Sequence, residues 1–253
     1  MTEVAETPKD GLLRLSQWES LDPTVVCGIT TAERGDLAVA DVPPERVAAV
    51  YADLARELGF RRVSVPTQVH GTDLREIRGA PAADPGICTV DRPDRVDGQL
   101  VDGPDWLLAA TVADCVPVYL WSRELGRIGL IHAGWRGAAA GILPRAISRL
   151  VRGLDRRPSG VVGDLRVHLG PAICGRCYEV DTPVLSAFGL GGTRARLDLR
   201  EILAAQAATA GVAPDALSSS RYCTSCGPGD LHSHRASGGA AGRMAAFLGL
   251  RSR

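Results

Sequence analysis

Five histidines and seven cysteines are the residues of this 253-residue chain best suited to metal or nucleophile chemistry. His70 ends a predicted strand and precedes Gly71; His132 ends another and precedes Ala133-Gly-Trp-Arg-Gly137. Cys115 lies between them, after Asp114 and close to Pro117. A His, Cys, His set offers two borderline nitrogens and one thiolate. That suits a zinc ion with its fourth tetrahedral position open to water or substrate. A bound cation would also hold the Cys115 thiol deprotonated. The separations of 45 and 17 positions match no local metal motif. Spacing alone therefore leaves the same residues readable as a small core thiol and two surface histidines.

Two CxxC pairs compete for a metal, Cys174-Gly-Arg-Cys177 and Cys223-Thr-Ser-Cys226. Such pairs normally build a four-cysteine zinc ribbon. Here 45 residues containing a predicted helix separate them, which argues against a compact ribbon and, with a redox role disfavoured too, leaves independent pocket or core thiols as the expectation. His232-Ser233-His234 has the His-x-His form used by multicopper oxidases, but those enzymes need far more histidines than five. Arg136 stands at a strand-to-helix turn, where backbone N–H groups and a guanidinium can face an anion. Arg235 and Arg243 are further anion candidates. No Walker A or dinucleotide fingerprint occurs between a strand and a helix.

The elements that must position these groups follow from apolar periodicity. Strands are predicted over 24–30, 62–65, 106–112, 116–120, 127–132 and 165–169. Pro43-Pro44 opens a helix with Val47, Val50, Leu54 and Leu58 on one face and Gly59 as its stop. A Gly- and Ala-rich helix runs through Ile142, Ile147, Leu150 and Val151, and another spans Leu199–Ala210. Residues 238–250, with Arg243, Met244 and Phe247, read as a last helix. The Pro-, Asp- and Gly-rich stretch 80–105 reads as a long surface loop. Residues 1–20 read as a polar N-terminal arm and 21–253 as a single domain. A strand-rich centre with flanking helices places the chain in the α+β class.

Composition removes several classes. With 45% hydrophobic and 23% charged residues, the chain is neither disordered nor a collagen or coiled-coil repeat. Basic and acidic residues balance at 29 each, so no overall field draws the protein to nucleic acid or membrane. Only Lys9 among the basic residues is a lysine, a bias that coding composition explains without phosphate binding. The start lacks a basic segment followed by an apolar core, and the apolar runs fall short of the ~20 residues of a spanning helix. A cytoplasmic, reducing location is expected, where cysteines serve metals or catalysis more than staples.

Together these segments resemble the laccase-domain (YfiH-type) family, formerly labelled polyphenol oxidases and understood as purine nucleoside phosphorylases with adenosine deaminase activity. The matching stretches are Gln68-Val-His-Gly71, Thr111-Val-Ala-Asp-Cys-Val-Pro117, His132-Ala-Gly-Trp-Arg-Gly137, Leu169-Gly-Pro-Ala-Ile173 and Cys177-Tyr-Glu-Val180. Cys223-Thr224, Ser233-His234-Arg235 and Ala241-Gly242-Arg243-Met244 complete an ordered set over residues 60–248. The resemblance implies mixed β-sheets packed as a sandwich with helices outside. It puts the family's zinc ligands on His70, Cys115 and His132 and makes Arg136, Arg235 and Arg243 phosphate partners. The N-terminal third departs from the pattern. Thr30-Thr-Ala-Glu-Arg-Gly-Asp-Leu37 replaces the family's Thr-Thr-Arg-x-Gly-Gly-Val-Ser loop, and Val50-Tyr51 stands where Asn-Arg is expected, with Arg34 a candidate replacement arginine.

The activity so implied is zinc-dependent phosphorolysis of adenosine, inosine or methylthioadenosine, with deamination of adenosine by zinc-activated water. Its partners are a purine nucleoside and phosphate. Asp114 and Glu179 are candidate acid–base groups. Two rival readings keep the same residues. In one, Cys115 and His132 form a nucleophile–base pair that hydrolyses amides in cell-wall precursors. In the other, a divergent chain binds nucleoside without turning it over.

Overall fold

Short, nearly continuous apolar runs recur along the chain, and the strands they form stack as two sheets. The computed structural model describes residues 1–79, 88–152, 163–227 and 230–252. In chain order the elements begin with β1 (Thr2–Val4), β2 (Thr7–Lys9), β3 (Leu12–Arg14), α1 (Ser16–Leu21), β4 (Val25–Thr30) and α2 (Pro44–Glu57). Next come β5 (Arg62–Ser64), β6 (Leu74–Arg78), β7 (Thr89–Asp91), β8 (Gly98–Asp102), β9 (Leu107–Val112), β10 (Val116–Ser122) and β11 (Arg127–Ala133). Then follow α3 (Trp135–Ala139), α4 (Ile142–Leu150), β12 (Arg166–Leu169), β13 (Glu179–Asp181), α5 (Thr182–Ala187) and β14 (Arg194–Arg196). The remaining elements are α6 (Leu199–Thr209), β15 (Leu217–Ser220) and β16 (Met244–Leu250).

One seven-stranded sheet runs β1-β15-β12-β10-β11-β8-β6 and the other β2-β3-β4-β16-β9-β5-β7, with β13 and β14 as a separate ribbon. Both large sheets mix parallel and antiparallel pairs. Alternation sorts the side chains into three cores. Val116, Val118 and Leu120 of β10 pack with α4 and α6 through Ile142, Ile147 and Leu203. Tyr119 and Trp121 of the same strand face the other sheet, meeting Leu108, Met244 and Leu248. Beyond that sheet, Val47, Tyr51 and Leu54 of α2 cover Leu107, Ala245 and Phe247. The result is an α+β sandwich with helices on both outer faces, as the sequence leads one to expect.

Four expectations need correction. Residues 244–250 form β16, not a helix, and lie between β4 and β9. Met244, Ala246, Leu248 and Leu250 enter the inter-sheet core while Ala245 and Phe247 face α2, so both faces of the strand are buried. A strand with two buried faces loses its polar alternation and reads equally as a buried helix. Residues 1–20 are no free arm: β1 joins one sheet, β2 and β3 the other, and Leu12, Leu13, Leu15 and Trp18 are buried. Within 80–105, β7 and β8 belong to the sheets, while 80–87 lie outside the described residues. The Gly- and Ala-rich helix is two helices, broken at Gly141, whose left-handed φ of 76° suits glycine.

Candidate metal centre and its cavity

Strand direction explains why three distant residues meet. β10 and β11 are antiparallel with Val116 opposite Ala133, so Cys115, one residue before β10, lies at the end where His132 leaves β11. Gly98 of β8 pairs with Ile131, and Leu74 of β6 pairs with Gly98, so the loop before β6 opens at that same end. That loop carries His70. The ligand atoms of His70, Cys115 and His132 all lie within 4.8 Å of one another. The two imidazoles meet edge-on, with centroids 4.7 Å apart. Gly134 makes room for them, since a Cβ there would fall 2.8 Å from His70 Cδ2 and 3.1 Å from Cys115 Sγ.

Asp97, immediately before β8, holds the group together and escaped the sequence reading. His132 Nδ1 donates to Asp97 Oδ1 at 2.9 Å, which leaves Nε2 as the nitrogen free for a metal. The same carboxylate accepts the backbone N–H groups of Val69, His70 and Gly71 at 3.2, 2.9 and 2.7 Å. These bonds hold His70 at a φ of 60°, a conformation costly for a residue with a side chain. Gln68 anchors the loop's other end by accepting Thr111 N–H at 2.7 Å and donating to Thr111 O at 2.9 Å.

The charges suit a cation. Burial pushes the Cys115 thiol up, but the charge of His132 and hydrogen bonds from His132 and His70 outweigh it and bring it to about 6. Burial pushes His132 down, and the Cys115 thiolate with Asp97 outweighs that and raises it to about 9. Burial likewise opposes ionisation of Asp97, yet the bonds from His132 and Gly71 keep it below its usual range. Two histidines, a thiolate and a carboxylate behind one imidazole make a donor set that fits zinc with an open corner.

This group forms the floor of a cavity of about 400 Å³, lined also by Val39, Pro66, Trp135, Tyr178, His234, Arg235 and Arg243. Arg235 donates to Glu179 O at 2.6 Å and lies 5.2 Å from the Tyr178 ring centroid. Arg243 donates to the carbonyls of Ala241 and Gly242. Arg136 is exposed, outside the cavity lining, and stacks on Trp135 at 4.2 Å. The helix behind it, α3, has only five residues. Arg34 is engaged elsewhere, with Glu57 and the carbonyl of Asp10.

The two acid–base candidates also separate. Asp114 accepts from Thr224 Oγ1, Ser233 Oγ and Arg235 N–H at 2.6–2.7 Å, so it braces the cavity wall. Glu179 is exposed and pairs with Arg194. His234, Trp135 and Tyr178 gained no separate weight as cavity residues from the sequence, although all three lie inside the matched stretches.

The four CxxC cysteines come together after all, with their sulfurs also within 4.8 Å of one another. β12 and β15 are parallel neighbours, so the loops that follow them leave the sheet at one end. The 45 intervening residues are a crossover that returns the chain to its starting edge. Among the described residues these two groups are the only convergent metal-donor sets. Neither is a histidine cluster of multicopper type.

Comparison with known proteins places the chain in a family and its fold among solved structures. Residues 34–251 match the family described as multi-copper polyphenol oxidoreductase laccase. A Geobacillus stearothermophilus protein named purine nucleoside phosphorylase YlmD is 34% identical over 197 residues, 73% of this chain and 70% of that protein. A Deinococcus radiodurans protein named purine nucleoside phosphorylase is 34% identical over 220 residues, 82% and 78% of the two chains. The crystal structure of YlmD from Geobacillus stearothermophilus superposes with a TM-score of 0.80 at 29% identity, covering 99% of this chain and 100% of that one. That of Bacillus licheniformis YfiH gives 0.78 at 24% identity, with 96% and 97% covered, a likeness of fold. The chain belongs to the multi-copper polyphenol oxidoreductase laccase family, alongside these YlmD- and YfiH-type proteins.

Proposed function

We propose that the chain is a zinc-dependent purine nucleoside phosphorylase, acting on adenosine, inosine or methylthioadenosine, with adenosine deaminase activity at the same cavity. The carrying observation is that His70, Cys115 and His132 share one cavity with Arg235 and Arg243. The names of the relatives support the reading. In phosphorolysis a phosphate oxygen bonds to ribose C1′ as the C1′–N9 bond breaks and its electron pair leaves with the purine. The ribose passes through an oxocarbenium-like state, so positioning and electrostatics supply most of the rate.

Arg235 and Arg243 hold phosphate, and Trp135 and Tyr178 give the purine apolar faces. Arg136, outside the lining, steadies Trp135. His70, Cys115 and His132 would hold the zinc, which when bound would supply Lewis acidity for the departing or deaminated purine. Asp97 sets the His132 tautomer and Asp114 positions Arg235. The sandwich, residues 1–20 included, acts as one catalytic domain. No helix among the described residues is long and apolar enough to cross a membrane, and seven free thiols support a cytoplasmic setting. Incubation with adenosine and phosphate, followed by chromatography, tests the proposal. Ribose-1-phosphate with adenine, and inosine or hypoxanthine, are expected; none above a Cys115→Ala control rejects it.

One observation favours a second reading. Without metal, Cys115, His132 and Asp97 line up as thiolate, imidazolium and carboxylate, the order of a cysteine hydrolase. Amide hydrolysis that survives chelation and is lost on thiol alkylation would favour it over the phosphorylase.

A further inference from the structure

We infer that Cys174, Cys177, Cys223 and Cys226 bind a second zinc ion, a closed structural tetrathiolate that ties the β12–β13 connection to the β15–β16 connection. This site is separate from the His70, Cys115 and His132 group. Its geometry is that of a metal knuckle. Cys174 Sγ and Cys226 Sγ are 3.8 Å apart. Zinc–sulfur bonds of ~2.3 Å in a tetrahedron place sulfurs ~3.8 Å from one another, whereas a disulfide needs ~2.05 Å. With all four sulfurs within 4.8 Å, the group has room for one ion and not for an iron–sulfide cluster.

The backbone is shaped for thiolates. Cys174 N–H and Cys226 N–H point to Cys223 Sγ at 3.3 and 3.4 Å. Cys177 N–H and Tyr178 N–H both return to Cys174 O, closing the first CxxC turn. The second turn closes as Gly227 N–H reaches Cys223 O. A bridge between Ala172 and Cys223, and Thr224 N–H donating to Ala172 O, already dock the two loops side by side.

Four protein thiolates leave no open position, so the ion would have no substrate role. It would act on the cavity through its neighbours. Tyr178 follows Cys177 and lines the cavity. Thr224 follows Cys223 and donates to Asp114, which also accepts Arg235 N–H. The second ion therefore steadies one wall of the cavity.

Metal analysis of the full chain, purified without chelator, tests this. About two zinc equivalents per chain are expected, falling to about one in Cys115→Ala and, separately, in Cys177→Ser/Cys226→Ser. Cobalt added to metal-free Cys115→Ala protein, in which the four-cysteine group is the intact set, should give the intense red absorption and thiolate charge-transfer bands of a tetrahedral cobalt tetrathiolate. That spectrum decides the matter even if the double serine variant fails to fold. Zinc content unchanged by Cys177→Ser/Cys226→Ser, iron in place of zinc, or a cobalt spectrum without tetrathiolate bands would overturn the inference. Nucleoside turnover is not read, so failure here leaves the phosphorylase proposal untouched.

Discussion

The sheet that carries β10, β11 and β12 holds two histidine–carboxylate pairs that look alike and differ in one bond. His132 on β11 meets Asp97 at 2.9 Å, and His168 on β12 meets Glu6 at 3.0 Å; both imidazoles are buried. His168 spends its other nitrogen on Ser218 Oγ at 2.9 Å, and Glu6 accepts Ser220 Oγ–H at 2.8 Å. Every strong partner is used. The pair clamps residues 1–20 to the sheet, between the rings of Trp18 and Tyr119. His132 spends only Nδ1 and turns its other nitrogen toward Cys115 and the cavity. The difference is that His132 keeps one nitrogen free of its carboxylate partner at a cavity floor, where a metal or substrate has access to it, whereas His168 has none to offer.

The largest way to break the contrast is at the centre itself. Cys115→Ala or His132→Ala should abolish the cavity's zinc and reduce nucleoside phosphorolysis to the no-enzyme control, measured by metal analysis and product chromatography. Asp97→Asn weakens the support behind His132 and should cost about 10–100-fold in zinc affinity, read by chelator competition. At the sealed pair the outcome reverses. His168→Ala leaves Glu6 short of a buried partner and should cost about 3 kcal/mol in denaturant unfolding, with zinc content and turnover per folded molecule unchanged.

The pH profile sharpens the same contrast in metal-free protein. Cys115 is depressed on folding, so its stabilisation is complete above the ordinary thiol range and is lost as pH falls through about 6. His132 is raised, so its stabilisation is complete below the ordinary imidazole range and is lost as pH rises through about 9. Melting temperature should peak between those limits, and Cys115→Ala should flatten both limbs. The smallest effect belongs to the cavity rim. Arg235→Ala or Arg243→Ala should raise the phosphate KM roughly tenfold or more, whereas Arg136→Ala, stacked outside the lining, should change it far less.

What could be read in advance follows the same physics. The strands 107–112, 116–122 and 127–133 were legible because they are apolar, β-rich and punctuated by turns. The candidate metal ligands were legible as residue types, and the resemblance brought them together; spacing could not, because sheet register, not chain distance, places them. Asp97 was hidden in a Pro- and Asp-rich stretch that mimics a surface loop, although it opens a buried strand. The four cysteines were misjudged for the opposite reason: 45 residues look like a gap until parallel β12 and β15 fold them into a crossover. β16 lost its period because both of its faces are covered.

Anomalous scattering at the zinc absorption edge, on crystals of the full chain grown without chelator, tests the central assignment most directly. The expected result is a peak at about 2.0–2.3 Å from a ring nitrogen of His70, the Cys115 sulfur and His132 Nε2, with Asp97 behind His132. Crystals of a preparation active on adenosine that show no peak among those three side chains would contradict it.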